Sequence, residues 1–149
     1  ELHFTLKHWK KDLEYWSKNR DKIKLTMSSA RSILGRNKKR YSERNLVNNL
    51  IASSVIHDYL MGQPTELQKS DAYLMLGKIY DELIVEGYWD LPEVYYEMCI
   101  NTSPKSSVAK KCFKNLKNNI TIGYSGTRGT MVPATEYQRL ERLRAKAGL

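Results

Sequence analysis

This sequence predicts an all-α fold of antiparallel helical hairpins, and three observations predict it. Apolar residues recur three and four apart along most of the 149 residues. No segment alternates convincingly with period two, so six helices and no sheet are expected. Helix-start signals stand where apolar runs begin: Thr65 with Gln68, Asp90 with Glu93, and Ser106 or Ser107 ahead of Val108. The length suits a single helical domain over residues 1–149 with a sizeable core.

The elements follow in order. Leu2, Leu6, Trp9, Leu13, Trp16, Arg20, Ile23, Met27, Ala30 and Leu34 alternate four and three apart. They predict one long helix over residues 1–35, with a kink point near Asn19 and Gly35 as its C-cap. Its stripe reads first as a core face and second as the seam of a coiled-coil dimer. Arg20 interrupts that stripe and needs a carboxylate or solvent. A basic loop with Arg36, Lys38, Lys39 and Arg40 comes next. Ser42 opens a run of helical hairpins over residues 42–122, the first of its helices placing Leu46, Leu50, Ile51 and Val55 inward and stopping at Gly62 and Pro64. A Gly-rich loop occupies 123–133, with Pro133 at a first helical position. The last helix, 134–147, should turn Tyr137, Leu140 and Leu143 inward and Arg139, Arg142 and Arg144 outward.

The middle of the chain carries the most specific pattern. Tyr73, Leu76 and Tyr80 share one helix face by their spacing, and Gly77 sits beside Leu76, where a missing side chain lets a second helix approach. Tyr96 and Cys99 are three apart on the next helix, and Pro104 ends the unit. This resembles the tetratricopeptide repeat, whose aromatic, Leu-Gly and Tyr positions on a first helix and aromatic, small and Pro positions on a second run in the same order. The turn from Val85 to Asp90 is longer than that family's turn, and Pro92 stands where Ala is usual. The resemblance implies a right-handed α-solenoid that binds and assembles rather than catalyses.

Cys99 lies five residues before Pro104 and Cys112 eight after it, nearly symmetric about the turn at Pro104–Lys105. Such positions face each other across an αα-hairpin. The two cysteines therefore form either a disulfide or a pair of buried free thiols. Residues 95–112, followed by Gly123-Tyr-Ser-Gly-Thr-Arg-Gly129, resemble tetratricopeptide-like envelope proteins and lipoproteins of delta-type and predatory bacteria. That resemblance, over about residues 55–147, implies an exported, periplasmic protein with a disulfide-bonded hairpin. A mature lipoprotein would begin with a lipid-bearing Cys, whereas this chain begins at Glu1, and we expect an upstream segment that was removed or left out. No apolar run approaches the roughly 18 residues that span a membrane.

Charge is segregated. Residues 1–46 hold 13 Lys/Arg against 5 Asp/Glu, residues 47–104 hold 2 against 9, and residues 105–149 hold 10 against 2. Either the acidic block of one molecule meets a basic flank of another, or the blocks neutralise each other within one fold. Asp81, Glu82 and Glu86 on the acidic side and Lys38, Lys39 and Arg40 on the basic side are the candidate partner contacts. Tyr88 and Trp89 are the candidate aromatic anchors, with packing on the preceding helix as the alternative.

Catalytic chemistry is thin. His3, His8 and His57 lack a His or Cys at metal-ligand spacing. The loop from Ser125 to Thr130 lacks the Gly-Lys-Ser/Thr ending of a phosphate loop and reads as a docking or flexible loop. The carboxylates of the middle block read as solvated helix faces. The expectation is a non-enzymatic adaptor without cofactor, metal or small-molecule substrate. Its partners would be other protein subunits of a bacterial envelope assembly, a second copy among them, with its basic flanks available for peripheral association. The alternative is a nucleic-acid or anionic-surface binder using Lys38, Lys39, Arg40 and the Lys110–Lys117 region.

Overall fold

Residues 2–36, 45–83, 87, 90–127 and 129–149 are described by the structure, a computed structural model, with side chains from residue 4 onward. Among them are seven α-helices: α1 (Leu2–Asn19), α2 (Met27–Gly35), α3 (Leu46–Met61), α4 (Glu66–Glu82), α5 (Leu91–Thr102), α6 (Ser107–Gly123) and α7 (Ala134–Ala147). The all-α class therefore holds. One small departure is a two-stranded antiparallel hairpin, β1 (Ser125–Gly126) with β2 (Gly129–Thr130), where no sheet was expected. The chain divides into two compact units, residues 1–64 with 82–87, and residues 65–81 with 88–149.

In the first unit, α1 and α2 both pack on α3. The long helix expected over 1–35 is broken. Asn19 turns its side chain back to the Tyr15 carbonyl, a 3-10 turn spans Arg20–Lys22, and Thr26 restarts the chain as an N-cap whose hydroxyl accepts the Ser29 N–H at 3.1 Å. Thr26 satisfies one N–H that an uninterrupted helix would have bonded four residues back. Arg20 meets solvent.

Burial on α1 follows the heptad stripe only in part. Trp16 is buried as that stripe expects, but Leu6 and Leu13 are exposed at 48% and 55%, and Thr5, off the stripe, is buried. A polar connection holds the buried side. The Trp16 indole N–H donates to Asn48 Oδ1 at 2.7 Å, and Asn48 Nδ2 donates to Asp12 Oδ2 at 3.2 Å. On α3, Asn48 and Asn49 lie inward with Val47, Ala52, Val55 and Ile56, and Leu50 is exposed. Of the four residues expected inward there, only Val55 is fully buried; Leu46 and Ile51 are partly buried. Asn49 Nδ2 donates to Glu82 Oε2 at 3.2 Å, so each buried amide has a partner, as burial demands. The Ser42 cap lies outside the described residues; α3 begins after Asn45.

The second unit contains α4 to α7. Its core joins Tyr96, Ile100, Phe113, Leu116, Ile120 and Leu140, with the two cysteines among them. The cap at Thr65 forms as a reciprocal box: Thr65 N–H donates to Gln68 Oε1 at 2.9 Å and Gln68 N–H to Thr65 Oγ1 at 3.4 Å. Ser106 caps α6 through the Ala109 N–H. No such box forms at Asp90: its backbone is helical (φ −93°, ψ −18°) where a capping residue is extended, its side chain makes no cap bond, and Glu93 pairs with Arg139. On α7, Leu140 and Leu143 are buried as expected, but Tyr137 is 55% exposed and Arg139 points inward. Ala147, rather than Tyr137, completes that apolar face, one turn beyond Leu143.

Candidate protein-binding face

The site grows from one glycine. Gly77 is buried on α4, and an added Cβ there would fall within 3.0 Å of three carbons of the Tyr96 ring. Tyr96 is fully buried on α5, and its hydroxyl donates to Asp81 Oδ2 at 2.5 Å. Asp81 Oδ1 accepts from Asn119 Nδ2 of α6 at 2.6 Å. One carboxylate thus ties α4 to α5 and α6. Further along, the Ser70 hydroxyl donates to the Cys99 carbonyl at 2.8 Å. Residues late in α4 pair with residues early in α5 and the reverse, so the two helices run antiparallel.

The close approach places three tyrosines together. Tyr95 lies over Tyr80 with ring centroids 5.4 Å apart and over Tyr73 at 6.3 Å, both stacked. All three are half-buried. Burial raises the Tyr95 phenol above its ordinary value, and Tyr80 and Tyr73 add to the rise. The repeat pattern had singled out Tyr73 and Tyr80 but passed over Tyr95. Its signal was the adjacent pair Tyr95-Tyr96: consecutive helix residues point about 100° apart, so one ring enters the core and the other meets its neighbours at the surface.

Cys99 and Cys112 are joined as a disulfide between α5 and α6, with Cα atoms 6.3 Å apart and both residues fully buried. Pro104 is exposed in the turn between those helices.

Beside this hairpin, Arg139 of α7 gathers three carboxylates. Its Nη2 is 2.7 Å from Glu97, and its Nη1 is 2.9 Å from Glu93 and 3.1 Å from Glu136. Burial pulls the guanidinium down, but its hydrogen bonds to Glu97 and Glu93 outweigh this and hold it above its ordinary value. Arg139→Gln would leave the three glutamates facing one another. A loss of about 1–3 kcal/mol is expected, since hydrogen bonds to charged groups are worth that much when partly shielded. Added salt should shrink the deficit by screening the repulsion. Urea melts of parent and variant at low and high salt check this; equal stability at both would remove the clamp.

The middle carboxylates are therefore less solvated than expected. Asp81, Glu93 and Glu97 are bonded within the second unit and Glu82 within the first. Reversing Asp81 or Glu82 would act on the fold before it acted on any partner. Tyr88, Trp89, Glu86, Lys38, Lys39 and Arg40 lie outside the described residues. His57 is half-buried, its Nδ1 2.7 Å from the Ser53 carbonyl. In the Gly-rich loop, Ser125 Oγ donates to the Thr121 carbonyl at 2.6 Å and lies 2.8 Å from Thr130 Oγ1, which pins the hairpin. Among the described residues no helix is long and apolar enough to cross a membrane, and no group of three His, Cys, Asp or Glu is placed to hold a metal. Comparisons with protein-family models, with curated proteins and with solved structures find no match.

Proposed function

We propose that this chain is a non-enzymatic helical adaptor of a bacterial envelope assembly, built on a tetratricopeptide-like repeat. The observation that carries the reading is the α4–α5 pair, in which Gly77 seats against Tyr96 while Tyr73, Tyr95 and Tyr80 stack at the surface. A glycine contact this close holds the two helices at a set distance. The tyrosines beside it present large, pre-ordered apolar area with polar tips, the chemistry that dominates protein-binding hot spots. The buried disulfide supports an oxidising compartment, and the periplasm is the one this reading adopts.

Capture tests the reading. The tagged full chain is expected to retain a discrete protein set from detergent-solubilised envelopes after nuclease treatment. A Tyr73→Ser, Tyr80→Ser variant, with both changes at half-exposed positions, should keep its helical spectrum and lose that set. Identical capture by parent and variant would remove the tyrosine face as the contact. Loss of all capture on nuclease treatment would favour the nucleic-acid alternative.

A further inference from the structure

We infer that α6 and the hairpin after it dock this protein on an anionic lipid surface. This inference stands apart from the adaptor reading, since it uses a different face of the second unit.

The basis is charge and apolarity on one element. Helix α6 carries no acidic residue, and its Lys110, Lys111, Lys114 and Lys117 are all exposed. They stand away from the buried side formed by Ala109, Phe113, Leu116 and Ile120. Among the described residues, none of the four is in an ion pair. From Met98 to Thr135 the sequence contains no Asp or Glu at all, so no acid in that stretch opposes them. The helix ends in exposed apolar groups. Ile122 is 63% exposed and Tyr124 42%, and just after β2 Met131 is 81% exposed. The Met131 N–H donates to the Tyr124 carbonyl at 3.1 Å, which keeps these residues side by side. Ile122 follows Asn118 by four residues and Lys111 by eleven, so it continues their side of the helix.

A row of lysines ending in a small apolar tip matches an interfacial membrane site. Each lysine near an anionic leaflet strengthens partitioning about fivefold. The apolar tip enters the boundary between headgroups and acyl chains, while lysine stems lie along it. Double-stranded nucleic acid fits less well. Lysines neutralise phosphates as well, but a duplex offers nothing to the exposed Ile122 and Met131.

Vesicle flotation of the full chain decides it. Neutral phosphatidylcholine vesicles are compared with vesicles carrying about 30% phosphatidylglycerol, at salt from about 0.1 M to about 0.5 M. The parent should float with the anionic vesicles at low salt and be released at high salt. Lys110→Gln, Lys114→Gln, Lys117→Gln should weaken binding about a hundredfold, taking fivefold per charge. Ile122→Ser, Met131→Ser should weaken it too, while what binding remains keeps its salt dependence. All five positions are exposed, and circular dichroism confirms that both variants fold. Equal flotation with neutral vesicles, or undiminished binding by the lysine variant, would overturn the proposal. So would tighter binding to duplex DNA in the same buffer that the Ile122, Met131 variant leaves unchanged, which would assign this face to nucleic acid.

Discussion

Replacing Gly77 by leucine is expected to lower stability by about 3 kcal/mol, the upper end of the cost of overpacking a filled core. In an exposed helix interior, glycine to alanine gains about 1 kcal/mol from propensity alone. Here that gain is overturned, because even the first carbon of the new side chain would press on the Tyr96 ring. The ring cannot swing clear: it is fully buried, and its hydroxyl is held by Asp81, which Asn119 holds in turn. Gly77→Ala should therefore destabilise as well, by a smaller amount. Gly35 is the internal control, since a Cβ added there would meet nothing within 4 Å, and its alanine variant should melt at or above the parent. For a chain of this length, about 3 kcal/mol corresponds to a fall of roughly 10 °C in Tm. Thermal melts of the three variants check it. A Gly77→Leu protein that melts with the parent would dissolve the close α4–α5 approach, and with it the repeat reading.

Loss of the Cys99–Cys112 bridge should cost about as much. The bridge closes a loop of sequence separation 13, and the loss of unfolded-chain entropy for so short a loop is worth about 3 kcal/mol. Both residues are fully buried, so a reductant reaches them only when the hairpin opens. Reduction of the native protein should accordingly be slow, and should speed up sharply in denaturant. Intact mass after alkylation in denaturant, without and with prior reduction, reads the state of the pair directly. No adduct before reduction and two after it is the expected pattern. Two adducts without reduction, or a Cys99→Ala, Cys112→Ala variant as stable as the parent, would remove the bridge from the account and weaken the oxidising compartment with it.

Much of the second unit was legible in the sequence because its signals are local. The Thr65–Gln68 box and the Ser106 cap depend only on neighbours three residues away, and both form. Gly77 and the mirrored cysteines depend on one turn between two helices, and the contacts they implied are present. The first unit was read less well, because partners far apart in sequence set its burial. Trp16, Asn48 and Asp12 bond across more than thirty residues, while Leu6, Leu13 and Leu50 face out. No spacing rule assigns the core to an asparagine in preference to the leucine two positions on. The break before α2 was marked by Thr26 and Ser29, but the apolar stripe ran through it and concealed it.

The candidate site divides in the same way. Tyr73, Leu76, Tyr80 and Tyr96 were visible as a helical pattern, whereas Tyr95 became meaningful only when two helices brought it over Tyr80. Glu93 and Glu97 read as solvated acids until α7 supplied Arg139, more than forty residues later. Charge-block arithmetic could not distinguish a carboxylate committed inside the fold from one awaiting a partner. Asp81, bonded to Tyr96 and Asn119, is of the first kind.

Hydrogen exchange on the captured complex tests the central claim, that the α4–α5 tyrosine face binds a protein partner, most directly. Peptides covering residues 73–80 and 95–98 should gain protection when the partner is bound, and peptides covering the lysine face of α6 should not. Protection confined to α6, or no change across 73–80 and 95–98 in a complex that stays intact, would contradict the account.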